Sequence, residues 1–247
     1  MSTVHLGNLT LSATKLTVFE YHSPYILERN VCLKAPRMTN LYFHTLAVNQ
    51  IPAVISQSSA AQVENLHLRI VTEKILVMPR CRIQFWNLKE LELTVESIDI
   101  NEGLDVLLVF SFLKASPLLQ KLKFREVRRL SSARGVSQKA EESESRRELP
   151  QEYFSHDQLK EVEIVGCEGN WCEIEFAIYM MQRAQCLDKL VFNPFLGHHR
   201  ADMDWDKSVI KGYDQTKSGR YWQKSGREIV REKLQAKVPA SVEQVLL

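Results

Sequence analysis

Apolar and polar positions in this chain follow one motif, apolar-x-x-apolar-x-apolar, that returns along its length. "VENLHLRIV" begins at Val63, "NLKELELTVE" at Asn87, "LLQKLKFREV" at Leu118, "DQLKEVEIV" at Asp157 and "CLDKLVF" at Cys186. Seven copies can be aligned: Ala13/Leu16/Val18, Met38/Leu41/Phe43, Val63/Leu66/Leu68, Leu88/Leu91/Leu93, Leu119/Leu122/Phe124, Leu159/Val162/Ile164 and Leu187/Leu190/Phe192. Their central residues are spaced 25, 25, 25, 31, 40 and 28 positions apart. The last two apolar positions alternate with polar ones, the period of a strand with one buried face. The first apolar residue turns the chain into that strand. One unit cannot bury such a face alone. Units stacked side by side bury it together, with a parallel sheet on one wall and helices or irregular segments on the other.

The period falls within the range of about 20–29 residues that marks leucine-rich repeats. The expected fold class is therefore α/β, a leucine-rich-repeat solenoid. A regular Asn in the loop after each strand is missing, so the repeats are degenerate. The competing reading is an ordinary α/β domain with Leu-rich strands, in which the equal spacing would be coincidence. In the repeat reading, the polar residues between core positions face solvent along the sheet. They are Lys89, Glu90 and Glu92, then Lys121 and Lys123, then Lys160, Glu161 and Glu163. Such a surface is the candidate binding face for a protein partner.

Between the strands, "GLDVLLVFSFLKASPLLQ" (103–120) predicts a buried helix stopped near Pro117. "EIEFAIYMMQRAQ" (173–185) carries Ile174, Ala177, Ile178 and Met181 on one helical face, with its Met pair as core. The longest interval holds "RRLSSARGVSQKAEESESRRELPQE" (128–152), charged, Ser-rich and poor in large apolar groups. It cannot bury enough surface to offset chain ordering, which predicts a flexible insert. Ser131 follows Arg128 and Arg129 in a pattern that basophilic kinases accept, although exposed Ser beside Arg is common. The expected organisation is a repeat region at 1–127, the insert at 128–152 and a C-terminal region at 153–247.

Composition narrows the function classes only slightly. The 247 residues are 45% hydrophobic and 25% charged, and the formal net charge is +2, with no global pull toward nucleic acid or membrane. The longest nearly apolar stretch, 106–113, is far short of the roughly 20 residues of a bilayer span. The first residues do not read as a secretory signal. Five scattered cysteines (Cys32, Cys81, Cys167, Cys172 and Cys186) read as buried free thiols in a reducing compartment, cytosol or nucleus.

The stretch "HDQLKEVEIVGCEGNWCEIEFAIYMMQRAQCLDKLVFNP" (156–194) resembles the FBD module of plant F-box/LRR proteins. The matching pieces are Leu159-Lys160-Glu161-Val162 on a strand, Gly166 and Gly169 in the turn, and Glu173 opening a helix. Ala184 and Leu187 then lead into Lys189-Leu190-Val191 on the closing strand. "FLKASPLLQKLKF" is similar to the family's approach to that module, and "SGREIVREKLQAKVPASVEQVLL" to the ends of its grass members. The resemblance implies an FBD-like C-terminal cap on the repeats and a repeat region that holds a substrate protein. Family members usually dock on the adaptor of a cullin-RING ubiquitin ligase through an N-terminal F-box. "MSTVHLGNLTLSATKLTVFEY" instead runs straight into a repeat. The resemblance therefore implies the adaptor as a partner only where a longer form carries an F-box.

Motifs for chemistry are sparse. Phosphate-cradling Gly-rich loops and the G-x-S-x-G elbow are not present in the sequence. Cys167 and Cys172 have no second pair to complete a zinc site and read as structural. His198, His199, Asp202 and Asp204 are the best metal candidates. Adjacent histidines do not easily aim at one ion, so "GHHRADMDWD" reads as a polar loop. No catalytic residue, cofactor or metal is expected. The stretch 207–237 holds nine Lys/Arg against three acids, and "TKSGR" and "QKSGR" stand beside Tyr213, Tyr221 and Trp222. Lys217, Arg220, Lys224 and Arg227 are thus candidates for tracking a nucleic-acid backbone. The plainer reading is a loop and then a solvated helix, in which Ile229, Val230 and Leu234 pack while Arg227, Arg231 and Lys233 stay wet.

Overall fold

The computed structural model describes residues 9–22, 31–45, 57–72, 84–97, 106–128, 155–167, 169, 171–194 and 226–247. The strands are β1 (Leu9–Ser12), β2 (Val18–His22), β3 (Val31–Lys34), β4 (Asn40–Thr45), β5 (Asn65–Thr72), β6 (Glu90–Ser97), β7 (Lys121–Arg128), β8 (Glu161–Val165), β9 (Lys189–Asn193) and β10 (Glu243–Leu246). Among the described residues four helices lie between them: α1 (Gln57–Ala60), α2 (Val106–Ala115), α3 (Trp171–Arg183) and α4 (Arg227–Leu234). Eight strands form one sheet in the order β10-β9-β8-β7-β6-β5-β4-β2, and every pairing is parallel. Parallel neighbours need a crossover, and the segments between strands supply it. β1 and β3 pair in a second, two-stranded parallel sheet.

The register follows the motif. Phe19, Leu41, Leu66, Leu91, Leu122, Val162 and Leu190 are successive in-register partners. Tyr21, Phe43, Leu68, Leu93, Phe124, Ile164 and Phe192 form the second such row. From Leu41 and Phe43 onward these residues are buried. The helices close the core behind them: Phe176 of α3 lies 5.5 Å from Phe124, and Phe110 of α2 lies 4.4 Å from Tyr179 of α3.

The repeats that enter β4 to β9 do so the same way. Two successive N–H groups donate to one carbonyl of the preceding repeat. Glu64 and Asn65 reach Thr39, Lys89 and Glu90 reach Glu64, Gln120 and Lys121 reach Lys89, Lys160 and Glu161 reach Gln120, and Asp188 and Lys189 reach Lys160. A tight turn precedes the first apolar residue, as in Met38 to Ala35, Val63 to Ala60 and Leu187 to Ala184. The ladder passes from Gln120 to Lys160 with the same 2.8–3.0 Å geometry despite the 40-residue step. The insert expected at 128–152 lies, apart from Arg128 at the end of β7, outside the described residues, as does Ser131.

The first copy of the motif is a correction. Leu41 pairs with Phe19, not with Leu16, and Val18 is 47% exposed. The repeat is Leu16/Phe19/Tyr21, shifted by three residues from Ala13/Leu16/Val18. The Leu16-to-Ala13 turn matches the Met38-to-Ala35 turn and confirms the shift. Its step to the next repeat is therefore 22 residues rather than 25. Ala13 satisfies the motif at the first position because the turn residue is itself small and apolar. The expected helix at 103–120 is found at Val106–Ala115, and that at 173–185 at Trp171–Arg183.

Two further elements were not anticipated. Strand β10 adds an eighth repeat, in which Gln244 takes the row position held elsewhere by Leu or Val. The β1–β3 sheet ends because Ser59 of α1 takes the place of a third strand. Its hydroxyl accepts from the Ala35 N–H at 3.0 Å and donates to the Leu33 carbonyl at 3.2 Å.

Candidate functional site

With the core rows turned inward, alternation places three rows of side chains on the opposite face of the sheet. The first runs Val18, Asn40, Asn65, Glu90, Lys121, Glu161, Lys189 and Glu243. The second runs Glu20, Tyr42, His67, Glu92, Lys123, Glu163, Val191 and Val245. The third includes His44, Arg69, Thr94, Arg125, Val165 and Asn193. The structure thus brings the expected candidates together. Glu90, Glu92, Lys121, Lys123, Glu161 and Glu163 lie on this face, and Lys89 and Lys160 sit exposed at its rim, one residue before their strands.

Most of these charges are already engaged with each other. Lys121 Nζ lies 3.0 Å from Glu161 Oε1, Lys123 Nζ 3.4 Å from Glu163 Oε2, and Lys89 Nζ 3.0 Å from Glu64 Oε2. Each pair joins the same position of neighbouring repeats, or the rim positions beside it. His67 Nδ1 lies 3.1 Å from Glu92 Oε2, and Arg125 Nη2 lies 3.9 Å from Glu92 Oε1. Asn193 donates to Glu163 at 2.8 Å. Lys123 and Glu163 are each only 12% exposed.

Burial by itself would raise the Glu92 carboxyl. The hydrogen bond from His67 and the charges of His67, Lys123 and Arg125 outweigh it and hold the group at about 2, against an ordinary 4.5. Burial likewise works to lower the Lys121 ammonium. The Glu161 hydrogen bond and the charges of Glu161, Glu163 and Glu90 overcome it and raise the group above its ordinary value. A charge reversal at Glu92 would set a cation beside Lys123 and Arg125. Glu90, which is exposed, is therefore the cleaner position for a charge reversal on this face.

On strands β2 to β5 the same face is mostly uncharged. Asn65 donates to Asn40 Oδ1 at 2.9 Å, and Asn40 donates to Thr39 Oγ1 at 3.0 Å. Tyr42 and His67 stack with ring centroids 4.5 Å apart. Sequence reasoning missed Glu20, Asn40, Tyr42, Asn65, His67 and Arg125. For all but Arg125 the signal was available: each holds a repeat position that a candidate residue occupies one or more repeats later, whereas Arg125 stands in a row that supplied no candidate.

Of the basic C-terminal candidates, Lys217, Arg220 and Lys224 lie outside the described residues. Arg227 donates to the Leu246 carbonyl and ties α4 to strand β10. Val230 and Leu234 of α4 are buried, Ile229 is partly buried, and Arg227, Arg231 and Lys233 are exposed, as the helical pattern predicts. The loop 198–204 also lies outside the described residues; Cys167 is packed in the core, whereas Cys186, expected to be buried, is exposed in the turn before β9. Among the described residues no helix is long and apolar enough to cross a membrane.

The whole chain, residues 2–247, matches the model of the At1g61320/AtMIF1 LRR domain. The chain belongs to that plant leucine-rich-repeat family. No curated protein and no solved structure matches it. The parallel sheet with one strand per repeat is the α/β arrangement of such repeats. Membership points to a protein-interaction domain.

Proposed function

We propose that the chain is a non-catalytic module that holds a protein partner on the outward face of its parallel sheet. The carrying observation is the register of eight parallel strands, which sets three rows of mostly polar and charged side chains side by side. A continuous face of this kind offers the area of a standard protein interface, about 800 Å² on each partner. We further propose that the module corresponds to the substrate-recognition part of an F-box-type protein, with 153–247 as its FBD-like end. The support is the strand–turn–helix–strand run from Leu159 to Val191, in which Gly166 and Gly169 hold φ values of 75° and 79°. Assembly with a cullin-RING adaptor then belongs to forms that carry an F-box, in the cytosol or nucleus.

Paired charge reversals test the binding face. Glu90→Lys alters the outward face, and Glu175→Lys alters an exposed site on α3. Partner affinity, measured by calorimetry, should fall about tenfold for Glu90→Lys and stay unchanged for Glu175→Lys. Equal effects, or an effect at Glu175 alone, would move the binding site off the sheet. The ligase part is tested by the intact mass of the endogenous protein and its co-purified adaptor. A protein of this length without the adaptor would remove that part and leave the binding module.

A further inference from the structure

The outward face is not uniform, and its unevenness selects a class of partner. From β6 to β8 the charges satisfy one another across the strands. From β2 to β6 the pattern is different. Asn40 and Asn65 fix each other's carboxamides through one hydrogen bond, and Asn40 uses a second on Thr39. An amide side chain has two donors and one acceptor. One N–H on each Asn and the Asn65 Oδ1 therefore remain for a ligand. Next to this pair stands the Tyr42–His67 stack. At the two ends stand Glu20 on β2, in register with Tyr42, and Glu90 on β6, in register with Asn65. Both are exposed, and among the described residues neither forms a hydrogen bond or an ion pair within 4.0 Å, although Glu90 shares the field of Lys121 beside it in the row. Every other acidic group in the two rows from β6 to β8 is engaged with a cation. The unspent charge of this zone is negative, and its unspent hydrogen bonds are those of amides.

We propose that the outward face of β2–β6 is a subsite for an extended peptide segment of the partner carrying two basic residues four positions apart. This rests on the binding-face reading above and names the partner's chemistry. An extended chain presents the N–H and C=O of one residue on the same edge, which the Asn40–Asn65 pair can meet as acceptor and donors. Three strand spacings and a two-residue offset put Glu20 and Glu90 roughly 15 Å apart. An extended segment spans about 13–14 Å between residues i and i+4, whose side chains share one face. Lys or Arg at those positions would each reach one carboxylate. The one near Glu20 would also lie over the Tyr42 ring, which attracts cations. An acidic segment would meet two exposed carboxylates, neither in a close ion pair, and is disfavoured.

Selection of random ten-residue peptides displayed against the full chain tests this directly. Recovered peptides should be enriched in Lys or Arg at i and i+4. Their affinity for the Glu20→Gln, Glu90→Gln double variant should be about tenfold weaker, and it should fall with added salt. Both positions are exposed, so the variant should keep the wild-type thermal transition. Asn65→Leu should weaken the same peptides again. Recovery of no peptide, of peptides without basic residues, or of basic peptides bound equally by the double variant would overturn the proposal. In the last case Lys160→Glu separates the two claims. Loss of binding there keeps the outward face and removes this subsite, and no loss from any outward substitution counts against both.

Discussion

Glu92 and His156 show how single residues couple this fold to its charge state. The Glu92 carboxylate sits between His67 and Arg125, and its folded value of about 2 is below its ordinary 4.5. A depressed carboxyl stabilises the fold above its unfolded value and loses that contribution as pH falls toward the folded one. Glu92→Gln should therefore cost roughly 1–3 kcal/mol at neutral pH and flatten the stability loss between about pH 4.5 and 2. Urea melts of both proteins across that range measure the difference. His156 is buried, and its Nε2 lies 3.0 Å from the Ser116 carbonyl, to which it donates. Burial lowers its value, although that hydrogen bond and the Asp157 charge oppose the shift. For a base lowered in the fold, stability is full above the ordinary 6.5 and is lost as pH falls through the lower folded value. His156→Gln, which keeps a donor for Ser116, should remove the part of the slope just below pH 6.5. A slope there that the variant leaves intact would assign the titration elsewhere. His156 was not readable as special, and Glu92 only as a polar position of the face, because the role of each depends on what stands in the preceding repeat. Glu92 has its role only beside His67, 25 positions earlier.

At the scale of elements, the sequence is most legible where the repeat rows are apolar. Leu66, Leu91, Leu122, Val162 and Leu190 are in register as the motif aligns them. It is least legible where a polar or small residue stands in for an apolar one. Gln244 concealed β10, and Ala13 displaced the first repeat by three residues. The β1–β3 sheet was hidden because "LTLS" and "VCLK" are short and carry no periodic partner. Ser59, which closes that sheet, gives a sharp test. Ser59→Ala leaves the Ala35 N–H and the Leu33 carbonyl without that hydroxyl and should cost about 1–3 kcal/mol in denaturant melts. The junction of α3 and α4 gives another. Gly169 has φ +79°, and a Cβ there would lie 2.6 Å from the Gly226 carbonyl oxygen. Its N–H also donates to Glu173 in the first turn of α3, at 2.8 Å. Gly169→Ala thus combines backbone strain with a backbone clash, and should cost about 1–3 kcal/mol or more. It should also speed proteolysis within α4. Unchanged protection of α4 would mean that the Gly169–Gly226 contact does not hold the helix.

At the scale of the whole molecule, the repeats stack as nearest neighbours, and each covers the apolar rows of the next. One consequence is that the long interval before β8 does not interrupt the sheet, because the Gln120 carbonyl receives Lys160 and Glu161 as any other repeat would. Another is that the outward face is continuous from β2 to β10. The composition of that face was partly legible: eight candidate residues were chosen from the polar positions of three repeats, and all lie on the face or at its rim. Their mutual pairing was not foreseen, although Lys121 and Glu161, or Lys123 and Glu163, hold the same repeat position with opposite charge. The central claim is that this face, and not the helical side, meets the partner. A photo-crosslinking amino acid placed at Glu90 in one form of the full chain and at Glu228 in another, each expressed in plant cells, tests it most directly. Glu90 is exposed on the sheet face and Glu228 is exposed on α4. The account predicts a discrete partner adduct from position 90 and none from position 228. An adduct from 228 alone would contradict it.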